Sequence, residues 1–170
     1  MAIIKKVRGF TPKFGNNCFI AENAVITGDV ICGNDCSIWY SAVLRGDVNS
    51  IKIGNFVNIQ DNVTIHTLYK KSVTIIGNNV SIGHNAVIHG AEIKDNVLIG
   101  IGAIILDHAV INENTVIAAG ALIKTGTITE PGSIYAGVPA IKVKNINPKQ
   151  SKEMIEKIAR NYKMYASWYK

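Results

Sequence analysis

His66, His84 and His89 stand close together in a chain that holds four histidines in all. Neutral imidazole grips divalent cations near neutral pH and also serves as a general base. Three imidazoles on one cation leave a fourth position for water, and the cation's charge makes that water's proton easier to remove. The competing reading is three unrelated surface histidines. Two polar strings lie upstream, Leu44-Arg45-Gly46-Asp47 and Ile59-Gln60-Asp61. Asp61 can orient an imidazole or pair with Arg45 across an interface, as groups behind metal ligands do. Ordinary surface ion pairs are the alternative for Arg45 and Asp47. Whether these residues can act together depends on the elements between them.

From Phe14 onward, aliphatic residues recur six apart, usually with Gly or a small polar residue next, as in Ile53-Gly54, Ile76-Gly77, Ile82-Gly83 and Ile99-Gly100. Four residues after each aliphatic comes a second small or β-branched residue, such as Ala24, Cys36, Val57, Val80 or Ala103. Six is a multiple of two and not of 3.6, so strand alternation keeps both positions inward while a helix would scatter them. Three short strands joined by corners make one triangular coil of about eighteen residues, and coils stack at the ordinary interstrand spacing of about 4.8 Å. Pairs such as Asn78-Asn79 and Asp95-Asn96 suit corners that need left-handed backbone angles. The spacing predicts an all-β solenoid, a parallel β-helix, over residues 1–145. A C-terminal α-helical segment is expected over residues 146–170, capped by Asn147 and carrying Ile155, Ile158, Tyr162, Tyr165, Ala166 and Tyr169 as its apolar stripe along one prism face.

Counting assigns the faces. Cys32, Ile53, Ile76, Ile93 and Ile111 anchor the first face; Ile20, Ile38, Ile59, Ile82, Ile99 and Ile117 the second; Ile26, Leu44, Ile65, Ile88, Ile105 and Ile123 the third. The six-residue step fails only between the third face and the next first face, so irregularity gathers at one edge, where solenoids commonly build sites. His66 and His89 each follow a third-face anchor and should stack one coil apart. Arg45 takes the same position one coil earlier. His84 lies two residues past Ile82 and points from another corner, with Asp61 in its register one coil below. Threefold association of prisms would bring His66 and His89 of one subunit to His84 of its neighbour. His108 is out of register and reads as a surface or corner residue.

The net charge of +6 invites a nucleic-acid partner. However, the lysines are scattered and no aromatic residues interleave with them in the repeats, so solubility or attraction of a small anion explains the charge better. Cys18, Cys32 and Cys36 form an odd set read as reduced thiols packed as small hydrophobes. Cys32 and Cys36 resemble half a zinc site, but no second pair stands at finger-like spacing. Behind Lys5-Lys6 there is no apolar stretch of signal-peptide length, and no window approaches eighteen apolar residues. The expectation is a soluble, cytoplasmic protein without a membrane span.

The strings "SIWYSAVLRGDVNSIKIG", "NIQDNVTIH" and "IGHNAVIHG", with the run on to the C-terminal helix, resemble the gamma-class carbonic anhydrase family of hexapeptide-repeat proteins. The resemblance covers essentially the whole chain. It implies that the β-helix is left-handed, which the spacing does not show. It also implies a homotrimer with metal sites at subunit interfaces, ligands His66, His84 and His89, and His84 donated by the adjacent subunit. Arg45 and Asp47 correspond to residues that hold the trimer, Gln60 to one that hydrogen-bonds the reactive water, Asp61 to its supporting carboxylate, and Tyr135 to a tyrosine near the metal. Zinc is the metal implied, with iron or cobalt as substitutes. Two departures stand out. Val48 and Tyr69 occupy positions where the most active members carry glutamates implicated in moving protons, and an acidic loop insertion is missing, since only Thr67 to Ser72 separates the repeat units.

The expected activity is metal-dependent hydration of carbon dioxide to bicarbonate, slow or absent because those glutamates are replaced. Carbonic anhydrase is itself the reference case for water acidified by zinc to a pKa of about 7. An acyltransferase using acetyl-CoA is the alternative, because Tyr135-Ala136-Gly137-Val138-Pro139-Ala140 resembles the end of the repeat in such enzymes. A metal-stapled trimeric scaffold without turnover is the third reading.

Overall fold

The computed structural model describes residues 1–169 and is a left-handed parallel β-helix of about seven coils closed by one α-helix. The last residue of the expected helical segment, Lys170, lies outside the described residues. The anchors stack in the register that counting assigns. On the first face Cys32 pairs with Ile53, Ile53 with Ile76, Ile76 with Ile93 and Ile93 with Ile111. On the second, Ile38, Ile59, Ile82, Ile99 and Ile117 run in one ladder. On the third, Leu44, Ile65, Ile88, Ile105 and Ile123 do the same. These side chains fill the prism with essentially no exposure. Burying each isoleucine is worth roughly 1.5–3 kcal/mol, so the ladders supply most of the drive to coil. The stack repeats inward positions because a parallel pair places like beside like.

The corners are turned by residues that tolerate left-handed backbone. Asn62, Asn79, Asn85, Asn96 and Asn114 all have φ between 54° and 60°. At the first corner the side chains form a second ladder: Asn16 N donates to Asn34 Oδ1 at 2.7 Å, Asn34 N to Asn55 Oδ1 at 2.8 Å, and Asn55 N to Asn78 Oδ1 at 2.9 Å. The edge between third and first faces behaves differently. Strands Val25–Cys32 and Val43–Ile53 run unbroken around it, with a register shift after Gly28. A Cβ on Gly28 would lie 2.2 Å from the Gly46 carbonyl oxygen, so the two backbones can touch there only as glycines.

Helix α1 spans Pro148–Ser167 and starts at Asn147, whose side chain accepts from Lys149 N at 2.9 Å. It lies against the second face. Ile155 and Ala166 are buried, Ser151 Oγ reaches the Asn114 carbonyl, and the ring of Tyr162 packs edge-on against Trp39 at 5.4 Å. Tyr169 stacks on Phe19 at 5.5 Å. This course carries Tyr162 past the corner that bears His84.

Candidate metal centre

His66 and His89 follow buried anchors Ile65 and Ile88 and pair directly across neighbouring coils. Their rings meet at the irregular edge, with His66 Nδ1 3.2 Å from His89 Nε2. Each ring's other nitrogen faces a carboxylate: His66 Nε2 lies 3.1 Å from Asp47 Oδ1, and His89 Nδ1 lies 2.8 Å from Asp107 Oδ2.

Both carboxylates are ionised. Burial alone would raise the Asp47 carboxyl, but hydrogen bonds from Arg45 and His66 outweigh it and hold it below the usual range. Asp107 behaves alike, with Ser72 and His89 outweighing burial. An ionised carboxylate only accepts, so the protons sit on His66 Nε2 and His89 Nδ1. With both rings neutral in those tautomers, the nitrogens that face each other across 3.2 Å are both bare. Burial, with the Arg45 guanidinium nearby, pushes His66 below the ordinary histidine pKa despite Asp47, which keeps its ring neutral. Two bare lone pairs at that distance repel unless a cation stands between them. Two nitrogens on one tetrahedral zinc ion would stand about 3.4 Å apart. The donor set thus fits a divalent cation.

The local chain builds this pair deliberately. Thr74 Oγ1 donates to the His66 carbonyl at 2.9 Å and accepts from Gly90 N at 3.1 Å, tying the two strands. Gly90, with φ of +57°, leaves room for Ser72 and Asp107: a Cβ there would lie 2.2 Å from Asp107 Oδ1. Ser72 closes the short loop after Thr67 and donates to Asp107 at 2.7 Å.

His84 stands at a different corner, as the register requires. Its Nδ1 lies 2.8 Å from Asp61 Oδ2, and its Nε2 is 3.4 Å from the Tyr162 hydroxyl. Gln60 is buried beneath it, donating to Asn58 Oδ1 at 3.0 Å and accepting from His84 N at 3.2 Å. The three histidines thus share one plan, a carboxylate on one nitrogen, while the other nitrogen meets the paired ring in His66 and His89 and the Tyr162 hydroxyl in His84.

Of the expected residues, the chain brings together Arg45, Asp47, His66 and His89 in one group, and Gln60, Asp61 and His84 in another. Arg45 Nη1 meets Asp47 Oδ2 at 2.6 Å within the same chain. Tyr135 joins neither group. It pairs with Ile117, which makes it a second-face anchor; its ring points into the core and its hydroxyl accepts from Glu130 N at 3.0 Å. The tyrosine that reaches a histidine is Tyr162. Asp107 and Tyr162 are absent from the sequence-based set. Asp107 lies two residues past the third-face anchor Ile105, one coil beyond His89, a position that counting could have reached. Tyr162 gave no signal beyond its place in an apolar helical stripe. His108 is an exposed corner residue with φ of 61°.

Comparison with known proteins places this geometry among relatives. The bacterial transferase hexapeptide family (six repeats) matches residues 90–125. A carbonic anhydrase of Geobacillus kaustophilus is 40% identical over 168 residues, covering 99% of this chain and 91% of that protein. Gamma carbonic anhydrase 2, mitochondrial, of Arabidopsis thaliana is 39% identical over 157 residues, covering 89% of this chain; the chain spans about half of that longer protein, 56%. Among solved structures, a hexapeptide transferase family protein from Anaplasma phagocytophilum superposes with a TM-score of 0.93 at 38% identity, covering 99% of this chain and 98% of that one.

Proposed function

The chain belongs to the gamma-class carbonic anhydrase family of hexapeptide-repeat proteins, and from that premise we propose that it is a metal-dependent hydratase converting carbon dioxide to bicarbonate. The observation that carries the reading is the pair of bare nitrogens on His66 and His89, each ring fixed by its own carboxylate. His84 of an adjacent subunit completes the ligand set, because its Asp61-oriented ring stands at another corner with Nε2 against the Tyr162 hydroxyl. Zinc is the metal proposed. When bound, it lowers the pKa of water enough to supply a nucleophile near neutral pH.

The chain's own residues do the rest. Asp47, Asp61 and Asp107 hold three imidazoles in the metal-accepting tautomer and raise their basicity. Gln60, locked between Asn58 and the His84 backbone, is fixed beside the third ligand and can orient a water there. Tyr162 holds His84 Nε2 in the isolated subunit and yields it on assembly. The weak link is proton export. Val48 and Tyr69 replace proton-carrying carboxylates, and Arg8 and Lys70 lie over the Tyr69 ring at 5.3 and 5.2 Å. Cations there disfavour a passing proton, so buffer must carry it and turnover is slow.

Metal analysis with a hydration assay on wild type and His84→Ala tests the reading. Metal ligated by imidazole and buffer-dependent hydration in the wild type, both lost in His84→Ala with the β-helix intact, are expected. Imidazole-ligated metal retained in that variant would refute the interface site. A second reading, acyl transfer from acetyl-CoA, is favoured by the transferase likeness alone; acetyl-CoA binding by a metal-free protein would put it first.

A further inference from the structure

All three cysteines of the chain converge inside the corner between the first and second faces, remote in register from every histidine. The residues that stack at the inward position of that corner are Cys18, Cys36, Val57, Val80, Val97 and Thr115, linked coil to coil by backbone hydrogen bonds. Cys32 is a first-face anchor, in the ladder that continues through Ile53, Ile76 and Ile93. Cys18 thereby sits one coil below Cys36, and Cys32 faces both. The three sulfur atoms all lie within 4.8 Å of one another. The partner that Cys32 and Cys36 lack in the linear sequence is supplied by the coil below.

Packing alone explains part of this arrangement. Cys18 and Cys36 donate to the Gly33 and Gly54 carbonyls, each at 3.2 Å, just as Thr115 donates to the Glu130 carbonyl at 3.2 Å. A short side chain with a proton to give suits that position. Cys32 is not explained in this way, because its position calls for an aliphatic side chain and isoleucine fills it in the coils above. The exchange of isoleucine for cysteine occurs at the one anchor that adds a third sulfur to the other two.

We propose that Cys18, Cys32 and Cys36 form a second metal site, a trithiolate that takes a soft d10 cation such as Zn2+ or Cu+. Sulfurs on a common zinc ion at about 2.3 Å stand about 3.8 Å apart, so the cluster needs to close by only about 1 Å. Cys32 and Cys36 are buried, while Cys18 is half-buried and gives a cation its way in. On binding, three S–H bonds break, three metal–sulfur bonds form, and up to three protons pass to solvent. Hydrogen bonds from Cys32 and Cys36 push the Cys18 thiol down, while that same sharing and burial push the other two up.

Cadmium added to the reduced, metal-free full chain is the probe, because thiolate-to-cadmium charge transfer absorbs in the ultraviolet and imidazole ligation gives no such band. The band should saturate at one Cd2+ per chain, persist in His66→Ala, and disappear in Cys36→Val, which installs the residue found one coil on at Val57. Cys18→Ala, at the half-buried position, should lose it too, so the test survives misfolding of either variant. A wild-type protein with no sulfur band at stoichiometric cadmium, or folded variants that keep it undiminished, would overturn the site.

Discussion

His66 Nδ1 and His89 Nε2 face each other at 3.2 Å, while the other nitrogen of each ring meets a carboxylate, Asp47 for His66 and Asp107 for His89, which favours the tautomers that leave the facing nitrogens bare. The carboxylates, rather than the histidines alone, make this a cation site. Asp107→Asn tests that directly. An amide can donate to His89 Nδ1 and move the ring proton to Nε2, the nitrogen required for the metal. Metal affinity should fall by about 10–100-fold with little change in fold, read by competition against a chelating dye. Unchanged affinity would show that the tautomer is not set by Asp107.

The depressed pKa of His66 makes a pH prediction. Its folded value lies below the unfolded 6.5 because of burial and the nearby Arg45. As pH falls below 6.5, the unfolded chain takes up the proton first, so stability drops until the folded value is passed. The contribution is fully present above 6.5. Imidazole NMR titration of the metal-free protein should give a His66 midpoint below 6.5, and melting temperature should decline over the same window. A midpoint above 6.5 would contradict the assignment of burial as the dominant influence.

Gly90 joins fold to site. Alanine there must adopt φ of +57° and place its Cβ 2.1 Å from Ser72 Oγ and 2.2 Å from Asp107 Oδ1. The backbone cost alone is about 1–2 kcal/mol, and relief of the clash requires Asp107 to leave His89. Gly90→Ala should therefore lower stability in urea and lose metal together. Loss of stability with full metal content would separate the two.

Tyr69→Glu should restore a proton acceptor at the exposed loop beside the first histidine. If proton export limits turnover, kcat should rise by at least about tenfold, within the range general bases supply, and buffer dependence should weaken. A variant no faster than wild type would place the limit elsewhere.

The coil and its register were legible because a six-residue period keeps the anchors inward on strands and would scatter them on a helix, and each anchor from Ile20 to Ile123 pairs as counting requires, while the left hand came from the resemblance. The stacking of His66 on His89, with His84 at another corner, was legible for the same reason. What counting does not reach are contacts that depend on the direction of a side chain or on the course of the helix. Tyr135 reads as a site residue by resemblance, yet its register beside Ile117 turns it into the core. Asp107 precedes the left-handed corner residue His108, and the room left by Gly90 lets its carboxylate meet His89, a contact that no count of anchors specifies. Tyr162 depends on where α1 crosses the second face, which periodicity within the helix does not specify. The cysteine cluster needed two coils to be stacked before its third member came into view.

Whether one subunit's His66 and His89 share a cation with its neighbour's His84 is decided by subunit complementation. His66→Ala and His84→Ala proteins, each metal-free at this site, are mixed, dissociated and reassembled together. Mixed trimers contain an interface with His66 and His89 from the second variant and His84 from the first. Metal binding and hydration should reappear in the mixture, at up to one site per mixed trimer. Mixed trimers that form but bind no metal would contradict it.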